Sequence, residues 1–109
     1  MGNFYLLEEP IKMYDESFDE IFVFNMNGLE IQLLSVDDAL TQMSLTTNLN
    51  ISINLLPNQA YIDIDHIPGN VIKELINTKV ALDLHKKVTL NGVDYLLFEF
   101  NFNHLKKIN

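Results

Sequence analysis

The stretch IFVFNMNGLEIQLL, residues 21–34, decides the fold, since it sets Asn27-Gly28 between two apolar runs. An Asn-Gly pair in this setting is the strongest short-range signal for a β-hairpin, because a type I′ turn needs positive φ at both central residues. Pairing about this turn gives one wholly apolar face, made of Met26 with Leu29, Phe24 with Ile31 and Phe22 with Leu33. The other face carries Asn25 with Glu30 and Val23 with Gln32. We therefore predict a hairpin with one core face and one polar face.

Residues 50–65 predict a second hairpin, with a loop at 56–59. One of its faces is again apolar, with Leu55 opposite Ala60, Ile53 opposite Ile62 and Ile51 opposite Ile64. The other face pairs Ser52 with Asp63 and Asn54 with Tyr61. This alternation predicts that amides, hydroxyls and carboxylates lie on the side away from the core.

A third hairpin is predicted over residues 86–102, turning at Asn91-Gly92. Pairing about that turn sets Leu90 against Val93, Thr89 against Asp94 and Val88 against Tyr95. Beyond Tyr95 the apolar side changes, and a ladder follows that consists of Phe98, Phe100 and Phe102. Three explanations stay open: a bulge that exchanges the faces, a central strand covered on both sides, or an exposed stripe for a partner. We favour burial of the ladder in the core.

Two short helices are expected between the hairpins. Ser35 has the character of an N-cap, and the apolar residues of 36–44 recur at helical spacing. After Pro68-Gly69, Asn70 is expected to cap a second helix. Its buried stripe is predicted to be Val71, Ile72, Leu75 and Ile76.

The beginning of the chain gives weaker signals. Residues 4–7 predict a short strand that ends before Pro10, and residues 11–20 predict a loop or a short helix over 15–20. Taken together, the patterns predict one α+β domain over residues 1–109. It is a mainly antiparallel sheet from three consecutive β-hairpins, with the two short helices packed on one face.

The charge of the chain is its most informative bulk property. The net charge is −8, with 15 acidic residues against seven lysines and no arginine. Residues 1–65 hold eleven of the acids and a single base, Lys12. Such a chain repels phosphate, so we expect no direct nucleic-acid partner, whereas a basic protein would be attracted. The acidity alternatively serves solubility alone.

Signatures of catalysis or cofactor binding are absent from the sequence. Without cysteine there is no disulfide, thiolate zinc site or cysteine nucleophile, and the four isolated glycines form no phosphate-binding loop. In a strand, Asp63 and Asp65 would share a face from which His66 points away. Adjacent acids such as Asp37 and Asp38 would point to opposite faces if they lay in a strand, so they would make a poor acid–base pair. We therefore predict no catalytic residues, no metal site, no cofactor and no enzymatic activity.

The sequence also lacks an apolar run of membrane-span length and the basic start and apolar core of a signal peptide. We expect a soluble, cytoplasmic protein without a membrane partner. Whether it is a monomer or a homodimer stays open.

A small, acidic chain with no catalytic motif is typical of a binding protein. The favoured hypothesis is a bacterial toxin immunity protein, or a phage-type inhibitor of a nucleic-acid enzyme, that neutralises a basic toxin or nuclease domain. Abundant asparagine, and lysine in place of arginine, suit mobile genes of an AT-rich genome. The alternatives are a dimeric chaperone of the type III secretion kind or an accessory structural subunit of a phage or secretion machine. The predicted partner-binding residues are Asp19, Glu20, Glu30, Asp37, Asp38, Asp63 and Asp65.

Overall fold

The computed structural model describes residues 2–13, 16–25, 28–35, 42–49 and 55–108. This part of the chain forms eight strands and one helix, in the order β1 (Gly2–Met13), β2 (Glu16–Asn25), β3 (Leu29–Leu34), β4 (Gln42–Ser44), β5 (Gln59–Asp63), α1 (Gly69–Asn77), β6 (Ala81–Leu90), β7 (Val93–Phe100) and β8 (Lys106–Lys107). The strands make two antiparallel sheets, one five-stranded in the order β4-β3-β2-β1-β8 and one three-stranded in the order β5-β7-β6.

The predicted α+β class is wrong: the described chain is mostly antiparallel β, in two sheets with one short helix. Of the helix expected over 36–44, residues 36–41 lie outside the described residues, and Gln42–Ser44 is strand β4. β4 pairs with β3, and the Leu45 N–H donates to the Ile31 carbonyl at 2.8 Å. A helix as short as the predicted one is only marginally stable in isolation. Pairing with the edge of β3 therefore gives residues 42–44 more stable backbone hydrogen bonds than a helix would.

The N-terminal region is far more extended than the sequence predicts. β1 runs for twelve residues and continues past Pro10, while β2 replaces the loop or helix expected in 11–20. The register shifts between the pairs Leu6–Glu20 and Ile11–Phe18, so Pro10 lies in an irregular stretch of β1. Because proline has no N–H to donate, this is where a strand tolerates it.

The first hairpin forms, but its register differs by one residue from the predicted one. Asn25 pairs with Leu29, Val23 with Ile31 and Ile21 with Leu33. Three residues, 26–28, therefore connect the arms, and the predicted partner Met26 lies outside the described residues. Ile21, Ile31 and Leu33 are fully buried, whereas Phe22 and Phe24 lie on the opposite face and are half-buried.

The third hairpin has the predicted register, with Leu90 opposite Val93, Thr89 opposite Asp94 and Val88 opposite Tyr95. Its two-residue turn has φ of 52° at Asn91 and 80° at Gly92, as a type I′ turn requires. The Thr89 hydroxyl also donates to the Asp94 carboxylate at 2.6 Å.

Burial of the phenylalanine ladder is confirmed for two of its three members. Phe98 and Phe100 are 1% and 2% exposed, and Phe102 is half-buried against Tyr5. One of the three explanations holds: β7 is the central strand of its sheet, and the adjacent residues Leu97 and Phe98 are both buried, one on each face. A bulge does occur between Asp83 and Lys87, but it lies on the neighbouring β6 and does not exchange the faces of β7.

The second predicted hairpin is only partly right. The loop is confirmed, since the Gln59 N–H donates to the Leu56 carbonyl at 3.0 Å, and the second arm is β5. The first arm lies mostly at 50–54, outside the described residues. β5 pairs with β7 instead, so that Ala60 is opposite Phe98, and its other edge makes a bridge from Tyr61 to Thr47. Tyr61, expected on the polar face, is buried.

Helix α1 is confirmed with a different start. Val71 and Leu75 are buried as predicted, but Ile76 is exposed. Pro68 occupies the N-cap position, and Asn70 lies inside the helix. The Asn70 side-chain amide instead donates to the Lys12 carbonyl at 3.0 Å, which ties α1 to β1.

Both sheets and the helix contribute to one hydrophobic core. Its most buried members come from β2, β3, β5, α1 and β7: Phe18, Ile21, Ile31, Leu33, Ile62, Val71, Leu75 and Phe98. In the described part of the chain, no helix is long and apolar enough to cross a membrane.

Candidate binding face of the five-stranded sheet

The five-stranded sheet has one face in the core and one face turned away from it. The face turned away, called the outer face below, comprises Gly2, Phe4, Leu6, Glu20, Phe22, Phe24, Glu30, Gln32 and Leu34. These residues share a face because partners in an antiparallel pair, and alternate residues along a strand, point the same way. None of these nine residues is buried. The opposite inner face carries the fully buried Ile21, Ile31 and Leu33.

A stack of three phenylalanine rings lies on the outer face. The ring centroids of Phe4 and Phe22 are 4.5 Å apart, and those of Phe22 and Phe24 are 4.9 Å apart, both with interplanar angles of 27°. A Cβ atom added to Gly2 would collide with the ring of Phe22. Gly2 therefore leaves the space that the middle ring fills, and it helps to hold the stack in place.

Two of the predicted carboxylates flank this stack. Glu30 is the cross-strand partner of Phe24, and Glu20 lies two residues before Phe22 on β2. Glu20 pairs with Leu34, four residues along β3 from Glu30, so the two carboxylates stand about 13 Å apart along the strands. The outer face thus presents apolar rings between two negative charges.

Strand β8 extends the outer face at its other edge. The Ile108 N–H donates to the Phe4 carbonyl at 2.8 Å, and Lys106 is the cross-strand partner of Leu6. Ile108 and Leu6 are 48% and 41% exposed. On its β8 side the outer face is therefore apolar apart from Lys106, whereas its β3 side carries Glu30.

The remaining predicted site residues do not join Glu20 and Glu30. Asp19 is half-buried, and its carboxylate accepts a hydrogen bond from the Ser17 hydroxyl at 3.2 Å. Asp37 and Asp38 lie outside the described residues.

Asp63 and Asp65 belong to the three-stranded sheet and the turn that follows it. The Asp63 carboxylate accepts the Asp65 N–H at 3.1 Å and also pairs with the His66 ring, so its side chain is only 15% exposed. The expectation that His66 points away from Asp63 is wrong, because β5 ends at Asp63 and the chain turns there. Asp63 is engaged in that turn, while Asp65 is exposed.

An open cleft lies beside the C-terminal end of α1. Its volume is about 610 Å³, and its lining includes Glu8, Glu9, Glu74 and His104. The His104 ring nitrogen Nε2 is 3.0 Å from the Thr78 carbonyl oxygen and 3.9 Å from Glu8. Among the described residues, however, no group of three or more histidine or acidic side chains is arranged to hold a metal ion.

The aromatic part of the outer face is what sequence reasoning missed. Phe22 and Phe24 were expected in the core, because residues 21–24 of β2 are all apolar and either alternate set can face inward. The signal that distinguishes the sets lies in β1, where Gly2 and Phe4 provide the surface on which the Phe22 ring packs.

Comparison with known proteins assigns no relatives to this chain: no protein-family model, curated protein or solved structure matches it. The fold and the outer face define it as a two-sheet antiparallel β protein with a partly exposed aromatic and acidic surface.

Proposed function

We propose that this chain is a small acidic binding protein that neutralises a basic protein partner, and that it binds the partner through the outer face. Bacterial toxin immunity proteins and phage-type inhibitors of nucleic-acid enzymes act in this way. The observation that carries the proposal is the partly exposed ring stack of Phe4, Phe22 and Phe24 with Glu20 and Glu30 on either side.

The composition of the outer face is that of a protein interface. Aromatic side chains are enriched where interfaces are energetically most important, and a polar rim commonly surrounds them. Three stacked phenylalanine rings that are only partly buried on one sheet face are unusual for a surface that only meets water, because exposed apolar surface favours association. The rings supply contact area, and the flanking carboxylates select the charge of the partner.

The net charge supports a basic partner in particular. A chain with a net charge of −8 attracts a positively charged surface over a distance of about a Debye length, which accelerates the encounter. It also disfavours nucleic acid, whose phosphates carry the same sign. Masking a basic active site by acidic side chains follows directly from this complementarity.

The test compares how two double charge reversals change association with a set of basic toxin nuclease domains, which are the class of partner proposed. Glu20→Lys with Glu30→Lys reverses the charge of the outer face, and Glu9→Lys with Glu99→Lys makes the same change in net charge elsewhere. At low ionic strength we expect the first pair to slow association about tenfold and the second pair to slow it much less. Added salt should reduce the difference.

Two results would contradict the proposal. One is an equal loss for both double variants, since the outer face would then have no special role. The other is a stable homodimer, seen by sedimentation velocity, that Phe22→Ala converts to a monomer. In that case the outer face would be occupied by a second copy of this chain rather than by a basic partner.

A further inference from the structure

We infer that the group recognised on the outer face is an arginine side chain of the partner, stacked on Phe24 and paired with Glu30. The inference rests on the proposed function, and it names the chemistry of the contact. It commits to an arginine-bearing segment of a basic protein as the occupant.

The placement of Phe24 and Glu30 fits a guanidinium group. They are direct cross-strand partners on the outer face, so their Cβ atoms are about 5 Å apart. Among the aromatic rings of the described residues, Phe24 stacks on Phe22 alone, at the end of the stack that lies beside Glu30. A planar guanidinium on that ring can direct its forked N–H groups at the neighbouring carboxylate.

Arginine suits this pair of residues better than lysine. A guanidinium is weakly hydrated, stacks on aromatic faces and binds a carboxylate through two parallel hydrogen bonds. An ammonium group is a compact and strongly hydrated charge, so it gives up more hydration to lie against a ring. The contact should therefore discriminate between two side chains of equal charge.

The composition of the chain indicates that the arginine comes from another protein. The chain has seven lysines and no arginine, so a second copy supplies no guanidinium. Its acidic surface also opposes self-association. The apolar edge formed by Leu6 and Ile108 lies at the level of Glu20, so it would contact apolar residues of the partner at a distance from the arginine.

The experiment titrates the labelled protein with two blocked peptides, acetyl-Gly-Gly-Arg-Gly-Gly-amide and its lysine counterpart, observed by NMR. We expect the arginine peptide to shift the ring signals of Phe24 and the amide signal of Glu30. It should bind about two- to fivefold more tightly than the lysine peptide. The signals of Leu82, an exposed residue on the edge strand β6, should stay unchanged.

Two conservative variants localise the preference. Phe24→Leu keeps an apolar side chain without a ring, and Glu30→Gln keeps the size without the charge. Each should reduce the preference for arginine over lysine to near unity, with other amide signals unchanged to show that the fold is retained. The control Glu99→Gln, on the other sheet, should leave the preference intact.

Equal binding of the two peptides would overturn the inference, as would shifts confined to the cleft at Glu8 and Glu74. Binding of a short oligothymidine at Phe24 would also overturn it, since the rings would then serve base stacking. The inference can fail alone. If the peptides bind equally but reversing Glu20 and Glu30 still slows association with the basic partner, the proposed function stands without the arginine contact. If that reversal has no effect, both fail.

Discussion

The inner and outer faces of strand β2 are both apolar over residues 21–24 and have different surroundings. On β2, Ile21 is fully buried, and its neighbour Phe22 is only half-buried. The inner face packs into a core that the second sheet and α1 complete, and the outer face packs on itself through stacked rings. Hydrophobicity therefore does not separate core residues from the residues proposed to bind a partner, and the two sets differ in what covers them.

The largest expected difference between the faces is in stability. Ile31→Ala removes a fully buried side chain from the inner face and should lower the free energy of unfolding by about 2–5 kcal/mol. Its neighbour on the outer face, changed as Gln32→Ala, should cost less than about 0.5 kcal/mol. Urea denaturation of both variants measures the contrast. Similar losses at the two positions would mean that the outer face is covered as well.

The next largest loss of stability is expected at Gly2, which leaves space for the Phe22 ring. Gly2→Ala places a methyl group where the Phe22 ring lies, so it should cost roughly 1–2 kcal/mol and displace the ring. The same change in a Phe22→Leu background should cost less, because the smaller side chain can move aside. A double-mutant cycle by thermal or urea unfolding gives this coupling energy. If the stability losses of the two single variants simply add, the cost of Gly2→Ala does not come from its contact with the Phe22 ring.

A smaller change in stability is expected at the end of the stack. Phe24→Leu loses one aromatic contact on a half-exposed surface, worth about 0.5–1 kcal/mol. The same variant should abolish the preference for arginine over lysine, so its effect on binding should exceed its effect on folding. A loss of several kcal/mol in urea denaturation would instead assign Phe24 to the core.

The smallest stability effect belongs to the carboxylates. Glu20→Gln with Glu30→Gln should change the free energy of unfolding by less than about 0.5 kcal/mol, because both residues are partly exposed on the outer face. The same variant should weaken binding of the basic partner, measured by calorimetry at low and high salt. If the variant lost stability but still bound the basic partner normally, Glu20 and Glu30 would serve the fold rather than binding.

The two Asn-Gly turns explain which parts of the fold the sequence predicts. Around Asn91-Gly92 the predicted pairs form, because the turn holds two residues with positive φ and Thr89 and Asp94 bond across the strands. Around Asn27-Gly28 the register shifts, because β2 is apolar at four consecutive positions and accepts either alternation. The alternation of apolar and polar residues on β3 is compatible with both registers, so it does not indicate which one forms.

Long-range pairing accounts for the other differences. The predicted helix at 36–44 has helical spacing, yet Gln42–Ser44 completes the edge of β3, and the Ile31 N–H beyond it is satisfied by the Thr46 hydroxyl at 3.1 Å. β1 likewise extends past Pro10 because β2 lies beside it. Such partners are distant in sequence, so no local pattern reveals them.

The sequence predicts only part of the candidate site, because the rest depends on pairing between residues that are distant in sequence. Glu30 was expected to face away from the core because residues 29–33 of β3 alternate between apolar and polar, and it lies on the outer face. The rings beside it depend on the register and on Gly2, which no pattern within residues 21–34 contains. Asp63 was expected on an open polar face, but it is engaged in a turn that begins where its strand ends.

The most direct test of the binding face uses the absence of tryptophan from this chain. Phe24→Trp places a single indole on the outer face, and Leu82→Trp places one on the exposed edge strand β6 as the matched control. Titration with a basic nuclease domain that binds the unchanged protein should shift the emission of Phe24→Trp to shorter wavelength and leave that of Leu82→Trp unchanged. A shift at Leu82→Trp without one at Phe24→Trp would contradict the proposal that the outer face binds the partner.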